Sequence, residues 1–202
     1  MLGKTPNKMS SRKNKYIKRA LQIFKHEGLR LSLDELAEKM SVSKKTLYNH
    51  FDSKEQLHSD CMQSMFSNLN QMMSTFVDDS LNAIECMRKG FGELKTLFFE
   101  LSPIFINDFR KLYPDMIYSS HASDIDFFNK NIMANLEKGM REGVYNPNLD
   151  VILISQYFSH SIFGFFFHSV ITNKEFSSTN YFENILEYNL KGLVSEKGRQ
   201  LL

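Results

Sequence analysis

The stretch 32–54 constrains the fold of this chain more than any other part of the sequence. Ser32 and Glu35 stand in the S-x-x-E pattern of a capping box, which predicts the start of a helix. Ser43 can cap a second helix with its hydroxyl group. That second helix, over about 44–50, is short and carries mostly hydrogen-bonding side chains. Such a surface suits a DNA groove better than a protein interior, so we predict a helix-turn-helix.

The charge of the chain is divided unevenly along its length. Residues 1–54 carry 13 Lys and Arg against 5 Asp and Glu, a net charge of +8. Residues 55–202 carry 12 against 18, a net charge of −6. A basic end on an acidic body indicates a polyanionic partner bound at that end, whereas the alternative reading is a solvated basic tail.

Several classes of protein are disfavoured by the residues that the chain lacks. Two cysteines, Cys61 and Cys86, make no disulfide framework, and no His and Cys spacing resembles a zinc site. The N-terminus has no apolar core of a signal peptide, which favours the cytoplasm. The sequence contains no Ser/His/Asp set, paired-carboxylate motif, HExxH motif or phosphate-binding glycine loop. We therefore expect neither an enzyme nor a metal or cofactor.

Helical periodicity recurs along the chain, and no segment shows the sustained alternation of a strand. We predict an all-α protein of about nine helices. Its expected divisions are a disordered basic tail over 1–10, a helix-turn-helix domain over 11–54 and a helical body over 55–202. The helix that begins near Lys54 extends to about Val77, roughly 35 Å, and would join the head to the body.

The segment 151–171 is long and apolar enough to resemble a membrane span. Serine and histidine side chains interrupt it, and no basic flank follows. We therefore predict a buried or interface helix, with no membrane partner.

Within this frame the sequence resembles the TetR family of transcriptional regulators. The resemblance covers about residues 14 to 58, and the rest of the chain is similar only in layout. It is carried by Ala37, Val42, Ser43, Thr46, Leu47, Tyr48, His50, Phe51, Ser53, Lys54, Glu55 and Leu57. It implies a three-helix DNA-binding head on a larger ligand-binding and dimerisation body.

Roles in DNA binding follow from the geometry of a helix-turn-helix and from the resemblance. The first residues of the second helix lie near base edges in the major groove, where lysine can donate to guanine. Tyr48 and His50 resemble the family's phosphate-contacting positions, and Lys54 adds its charge to a helix N-terminus. The predicted DNA-binding residues are Ser43, Lys44, Lys45, Thr46, Tyr48, Asn49, His50 and Lys54.

The resemblance also implies a homodimer and a small apolar ligand in the body. Eleven Met and 18 Phe suit an adaptable apolar pocket, although ordinary core is the alternative for each residue. The predicted pocket residues are Phe98, Phe105, Phe109, Tyr113, Phe128, Met133 and Phe163. The predicted dimer-interface residues are Phe158, Ile162, Phe165, Phe166, Ser169, Ile185 and Tyr188.

The function that these features imply is a dimeric repressor, released from a palindromic double-stranded DNA operator when the ligand binds. The alternative is a nucleoid- or division-associated DNA-binding protein that uses the same head without an inducer.

Overall fold

The structure, a computed structural model, describes residues 8–114, 123–172 and 181–202, with side chains omitted for 8–11, 123–127, 162–172 and 181–182. These ranges contain ten α-helices and one 3-10 helix. The α-helices are α1 (Lys8–Glu27), α2 (Leu33–Lys39), α3 (Lys44–Tyr48), α4 (Lys54–Met73), α5 (Ala83–Phe99), α6 (Pro103–Leu112), α7 (Ser123–Glu142), α8 (Val151–Thr172), α9 (Tyr181–Leu193) and α10 (Glu196–Arg199). The 3-10 helix, Ser74–Val77, follows α4 directly.

The all-α prediction is confirmed. The helix predicted from Lys54 to about Val77 is α-helical only to Met73, and its last four residues form the 3-10 helix. The tenth, α10, is a single turn that Ser195 caps by accepting a hydrogen bond from the Gly198 N–H. One expectation is corrected at the N-terminus. α1 begins at Lys8, so residues 8–10 are helical rather than part of a disordered tail. Residues 1–7 lie outside the described ranges.

The first of two compact units comprises, among described residues, 8–69 and 100–112. Apolar side chains form its core, and those from the first four helices and the loop after α3 are almost fully excluded from solvent. They include Phe24, Leu36, Leu47, Phe51, Leu57 and Cys61. The sequence had placed a boundary after Lys54, whereas this unit extends along α4 and also takes in α6.

Helix α6 packs in this unit against the end of α1 and the link that follows. Gly28 ends α1 at a φ of 89°, a left-handed conformation that glycine adopts without steric cost. A Cβ atom at Gly28 would lie 2.5 Å from Ile104 Cγ2 and 2.6 Å from Asp108 Oδ2. The absence of a side chain there therefore permits the close approach of α6.

The second unit comprises 70–99 and the described residues from 113 onward. Four aromatic rings form a continuous cluster in its core. Phe76 lies 5.7 Å from Phe91 and 6.2 Å from Phe128, and Phe91 lies 5.5 Å from Phe158, all near edge-to-face. Such pairs add to the free energy gained from burial of their apolar area.

A buried polar network joins α5 to α7 beside this cluster. The Asn135 amide is fully buried and donates to the carbonyl oxygens of Phe76 at 2.7 Å and Ala83 at 2.9 Å. The Tyr145 hydroxyl lies 3.2 Å from the Ala83 carbonyl and 3.3 Å from Asn135 Oδ1. Each polar atom in the network thus has a partner, which offsets its desolvation.

We expect Asn135→Ala to lower the free energy of unfolding by about 2–3 kcal/mol, because two buried carbonyl groups lose the donor that the amide supplies. Tyr145→Phe removes only a hydroxyl group and should cost about 1 kcal/mol. Urea denaturation followed by circular dichroism measures both changes. Equal stability of the Asn135→Ala variant and the wild type would show that the network does not stabilise this unit.

Helix α8 resembles a membrane span in its sequence, but the structure describes it as a helix that packs on the core of the second unit. Ser155 and Ser159 are buried on the side of α8 that carries Phe158. None of the helices in the three described ranges combines the length and the apolar character that crossing a bilayer requires.

Candidate nucleic-acid interface

Helix α2 begins at the predicted capping box. The Ser32 hydroxyl accepts from the Glu35 N–H at 3.2 Å, and the Glu35 carboxylate accepts from the Ser32 N–H at 2.7 Å. The hydrogen bond from the Ser32 side chain holds the pKa of Glu35 below its usual value. The carboxylate is therefore ionised at neutral pH, and it also complements the helix dipole.

The turn between α2 and α3 is tight because one residue adopts a rare conformation. Ser41 has a φ of 51°, in the left-handed region. Ser43 then caps α3 by accepting from the Thr46 N–H at 3.1 Å. Leu47 and Phe51 are fully buried, so they fix α3 against the core of the unit.

The remaining side chains of α3 and its cap point outward. Ser43, Lys44, Lys45, Tyr48 and Asn49 are exposed, while Thr46 and His50 are half-buried. The structure thus brings the predicted DNA-binding residues together on one surface of the first unit. Their contact with DNA stays a prediction.

The two lysines of α3 differ in their electrostatic surroundings. Lys44 Nζ lies 2.7 Å from the Asp34 carboxylate and 5.8 Å from the centre of the Tyr48 ring. The hydrogen bond to Asp34 raises the pKa of Lys44. Lys45 forms no ion pair with any residue in the described ranges. Lys45 can therefore bind DNA without first breaking an ion pair.

An open cleft of about 510 Å³ lies between the N-terminus of α2, α3 and the N-terminus of α4. It contains the predicted DNA-binding residues Lys44, Tyr48 and Lys54. Its carboxylate groups belong to Asp34, Glu35, Asp52 and Glu55. These carboxylates compete with phosphate for the cations, so the cleft itself is a poor site for a polyanion.

Lys54 is held in this cleft by the protein. Lys54 is the first residue of α4, and its ammonium group donates to the Arg30 carbonyl oxygen at 3.1 Å. A carbonyl oxygen does not neutralise the ammonium group, and Lys54 forms no ion pair among the described residues, although Glu35 and Glu55 lie in the same cleft. Lys54 can thus attract phosphate while remaining anchored to the link between α1 and α2.

Tyr16 belongs to this surface, although sequence reasoning did not identify it. Its ring lies 4.9 Å from the ring of His50, in a tilted arrangement. The contact joins α1 to the end of the helix-turn-helix and limits the orientations of the imidazole. The sequence signal was weak, because Tyr16 precedes the buried stripe of α1 and looks like an ordinary surface residue.

The predicted pocket residues are divided between the two units. Phe105 and Phe109 lie in the first unit with their rings stacked at 6.1 Å. Phe98 and Phe128 are buried in the second unit, where Met133 and Tyr113 are half-buried. The side chain of Phe163 lies outside the described residues. Their role in binding a ligand stays a prediction.

The predicted dimer-interface residues also separate into groups. Phe158 is 1% exposed and packs on Phe91 within its own chain, so its assignment to an interface is corrected to core. Tyr188 is 72% exposed, and Ile185 is half-buried. The side chains of Ile162, Phe165, Phe166 and Ser169 lie outside the described residues, although their backbone is helical.

Helix α8 also carries exposed apolar side chains that the sequence did not identify. They are Ile152, Leu153 and Tyr157, which are 57%, 62% and 51% exposed. Leu153 and Tyr157, four residues apart, share one side of the helix. Apolar side chains occur on all sides of α8, so its periodicity does not distinguish a buried face from an exposed one. The packing of Phe158 makes that distinction.

The helix-turn-helix coincides with a known family domain. Residues 17–61 match the model of the bacterial regulatory proteins of the tetR family. Over these residues the chain is similar to the DNA-binding domain of the tetR family, as the sequence motif had indicated. The family that this model describes consists of transcriptional regulators, which agrees with the prediction that the chain is not an enzyme. No curated protein matches the sequence.

Solved structures of transcriptional regulators share the fold over most of their length. A ketosteroid transcriptional regulator of Mycobacterium tuberculosis is 20% identical, with a TM-score of 0.60 over 96% of this chain and 98% of its own. A TetR-family regulator of Mesorhizobium loti is 16% identical, with a TM-score of 0.68 over 93% and 96%. A regulator of Saccharomonospora viridis, solved with choline, is 16% identical, with a TM-score of 0.66 over 93% and 100%. At these identities the likeness establishes the fold alone.

Proposed function

We propose that this chain is a homodimeric repressor of the TetR family, released from a palindromic operator by a small apolar ligand in its helical body. The observation that carries the proposal is the exposed surface of α3. Leu47 fixes this helix to the core, and Lys45 on its outer side has no carboxylate partner in the described ranges. A lysine in this position can donate to guanine in the major groove. We place the protein in the cytoplasm, beside the DNA that it would regulate.

A second copy of the chain is supported by exposed apolar side chains on the last two long helices. Leu153 and Tyr157 share one side of α8, Ile152 is exposed at the start of the same helix, and Tyr188 is exposed on α9. Exposed apolar side chains of this kind favour association, because association removes their surface from water. Two heads related by a twofold axis would read two halves of a palindromic operator.

We expect Leu153→Glu to convert the dimer to a monomer, because a carboxylate would have to be desolvated in the interface. Light scattering should then report the mass of one chain, 23.6 kDa, rather than two. Leu112→Glu is the matched control, since Leu112 is an exposed leucine of the first unit. A Leu153→Glu variant that remains dimeric would remove α8 from the proposed interface.

A ligand site in the body is supported by the aromatic and methionine side chains of the second unit. Phe98, Phe128 and Met133 supply apolar, polarisable surface of the kind that lines small-molecule pockets. The same fold holds choline in the Saccharomonospora viridis regulator. For the present chain we propose an apolar ligand rather than that cation.

Mapping the sites that the protein occupies on its own genome tests the proposal against its alternative. Binding beside one or a few promoters, with release from those sites by a small molecule, is the expected result. Many scattered sites that no compound releases would favour a nucleoid- or division-associated role. A screen of apolar compounds against the operator complex, read by fluorescence anisotropy, supplies the second half of the test.

A further inference from the structure

The cations of residues 12–54 fall into two groups according to their partners. One group is compensated by a carboxylate at an ion-pair distance of 2.6–2.8 Å. It consists of Lys13, Lys25, Arg30, Lys39 and Lys44. The other group forms no ion pair among the described residues. It consists of Arg12, Lys15, Lys18, Arg19, Lys45 and Lys54.

Three of the uncompensated cations lie on one side of α1. Arg12, Lys15 and Arg19 follow one another at spacings of three and four residues, which places them on a common helical face. All three side chains are exposed. We call Arg12, Lys15 and Arg19 the α1 stripe. Lys18, three residues after Lys15, is also exposed and lies at the edge of this stripe.

Two contacts show which way the α1 stripe faces. Arg19 donates from its guanidinium group to the Met40 carbonyl oxygen, where α2 ends. Tyr16, one turn after Arg12 on the same side of α1, contacts the ring of His50. The stripe therefore borders the helix-turn-helix at the turn before α3 and at the residue just after its cap.

We infer that the α1 stripe binds DNA phosphates that flank the base pairs read by α3, so the operator contact extends beyond residues 43–54. The inference rests on the proposed DNA-binding function and adds a second phosphate-binding surface to it. Arg12 and Arg19 are separated by about 10 Å along the helix at ~1.5 Å per residue. This length compares with about three base-pair steps at ~3.4 Å each, so the stripe can reach more than one phosphate.

The packing of α1 favours DNA over a membrane surface as the partner. An interfacial helix must insert its apolar face into the lipid. The apolar side chains of α1, among them Ile17, Leu21 and Phe24, are buried in the core of the first unit. The stripe thus offers charge without an apolar anchor, which matches a phosphate backbone.

The test compares three variants on one duplex, selected from random-sequence DNA by the wild-type protein. Arg12→Ala with Lys15→Ala removes two stripe cations, and both side chains are exposed at positions where alanine favours the helix. Lys111→Ala is the control, because Lys111 is an exposed cation of the first unit on α6, outside α1 and the helix-turn-helix. Lys45→Ala reports on α3. The affinity of each protein is measured over a range of salt concentrations, on the selected duplex and on one trimmed to the palindrome. Circular dichroism verifies the helical content.

We expect the stripe variant to reduce the slope of log K against log salt by about 0.9 for each phosphate that it no longer binds. The difference from the wild type should disappear on the trimmed duplex, because the flanking phosphates are absent there. Lys111→Ala should leave the slope unchanged, since Lys111 lies outside the α1 stripe and α3.

Two outcomes overturn the inference. An unchanged slope for the stripe variant, while Lys45→Ala weakens binding, removes the α1 stripe and leaves the proposed function standing. A change for Lys111→Ala equal to that per cation in the stripe variant shows an effect of net charge and also removes the stripe. A normal affinity for Lys45→Ala, by contrast, contradicts the proposed DNA-reading role of α3 itself.

Discussion

Replacing Lys45 by alanine will weaken operator binding by about ten-fold, and the double change with Tyr48→Ala by about 100-fold. Lys45 is exposed on α3 and has no carboxylate partner among the described residues, so its full charge is available to a base or a phosphate. Tyr48 is 46% exposed on the neighbouring face of the same helix. Fluorescence anisotropy with a palindromic operator duplex measures both losses.

Lys44→Ala is the matched comparison, because it removes the same charge from the adjacent position. Lys44 is already paired with Asp34 at 2.7 Å, and DNA would have to compete with that carboxylate. We therefore expect a smaller loss than for Lys45→Ala. A larger loss for Lys44→Ala, or an unchanged affinity for Lys45→Ala, would contradict this reading of the interface.

Asp108→Ala will destabilise the first unit more than any other single change that we predict there. Asp108 is 4% exposed, and its Oδ2 atom accepts from the fully buried Leu29 N–H at 3.0 Å. Removal of the carboxylate leaves that N–H without its acceptor, which costs about 2–3 kcal/mol. The chain has no tryptophan, so urea denaturation is best followed by circular dichroism.

Two controls separate the contributions of the Asp108 carboxylate. Arg30 pairs with Asp108 at 2.8 Å but its side chain is 63% exposed, so Arg30→Ala should cost less than about 1 kcal/mol. Asp108→Asn keeps an acceptor for the Leu29 N–H and should fall between the two. A stability of Asp108→Ala equal to that of Arg30→Ala would show that the Leu29 hydrogen bond contributes nothing.

The hydrogen bond between Asp108 and Leu29 suggests how a ligand in the second unit would affect the DNA-binding surface. Helix α6 is joined by the chain to the second unit at both of its ends, at residues 99–100 and 112–113. Asp108 connects α6 to the link between α1 and α2, and Lys54 donates to the Arg30 carbonyl in that same link. The link thus receives a contact from α6 and one from α4. We expect Asp108→Asn to reduce the response of the operator complex to an inducer, in addition to its effect on stability.

The helix-turn-helix was predictable from the sequence because its signals are local. The capping box of Ser32 and Glu35 and the cap at Ser43 act over three residues, and both form as predicted. The buried positions of α3 follow from helical spacing. What the local signals could not supply was the pairing of Lys44 with Asp34 across ten residues, since ion pairs depend on how α2 and α3 pack.

The sequence by itself determined the helical class, the helix-turn-helix of the first unit and the basic character of that unit's N-terminal part. Only the tertiary structure decided that α6 joins the head, that Phe158 is core and that Lys45 rather than Lys44 is uncompensated. The physical reason is the distance along the chain over which the deciding contacts act. Leu29 and Asp108 are 79 residues apart, and Phe91 meets Phe158 from another helix. Helical periodicity indicates which face of a helix is buried. The element that packs against that face depends on the packing of the whole unit.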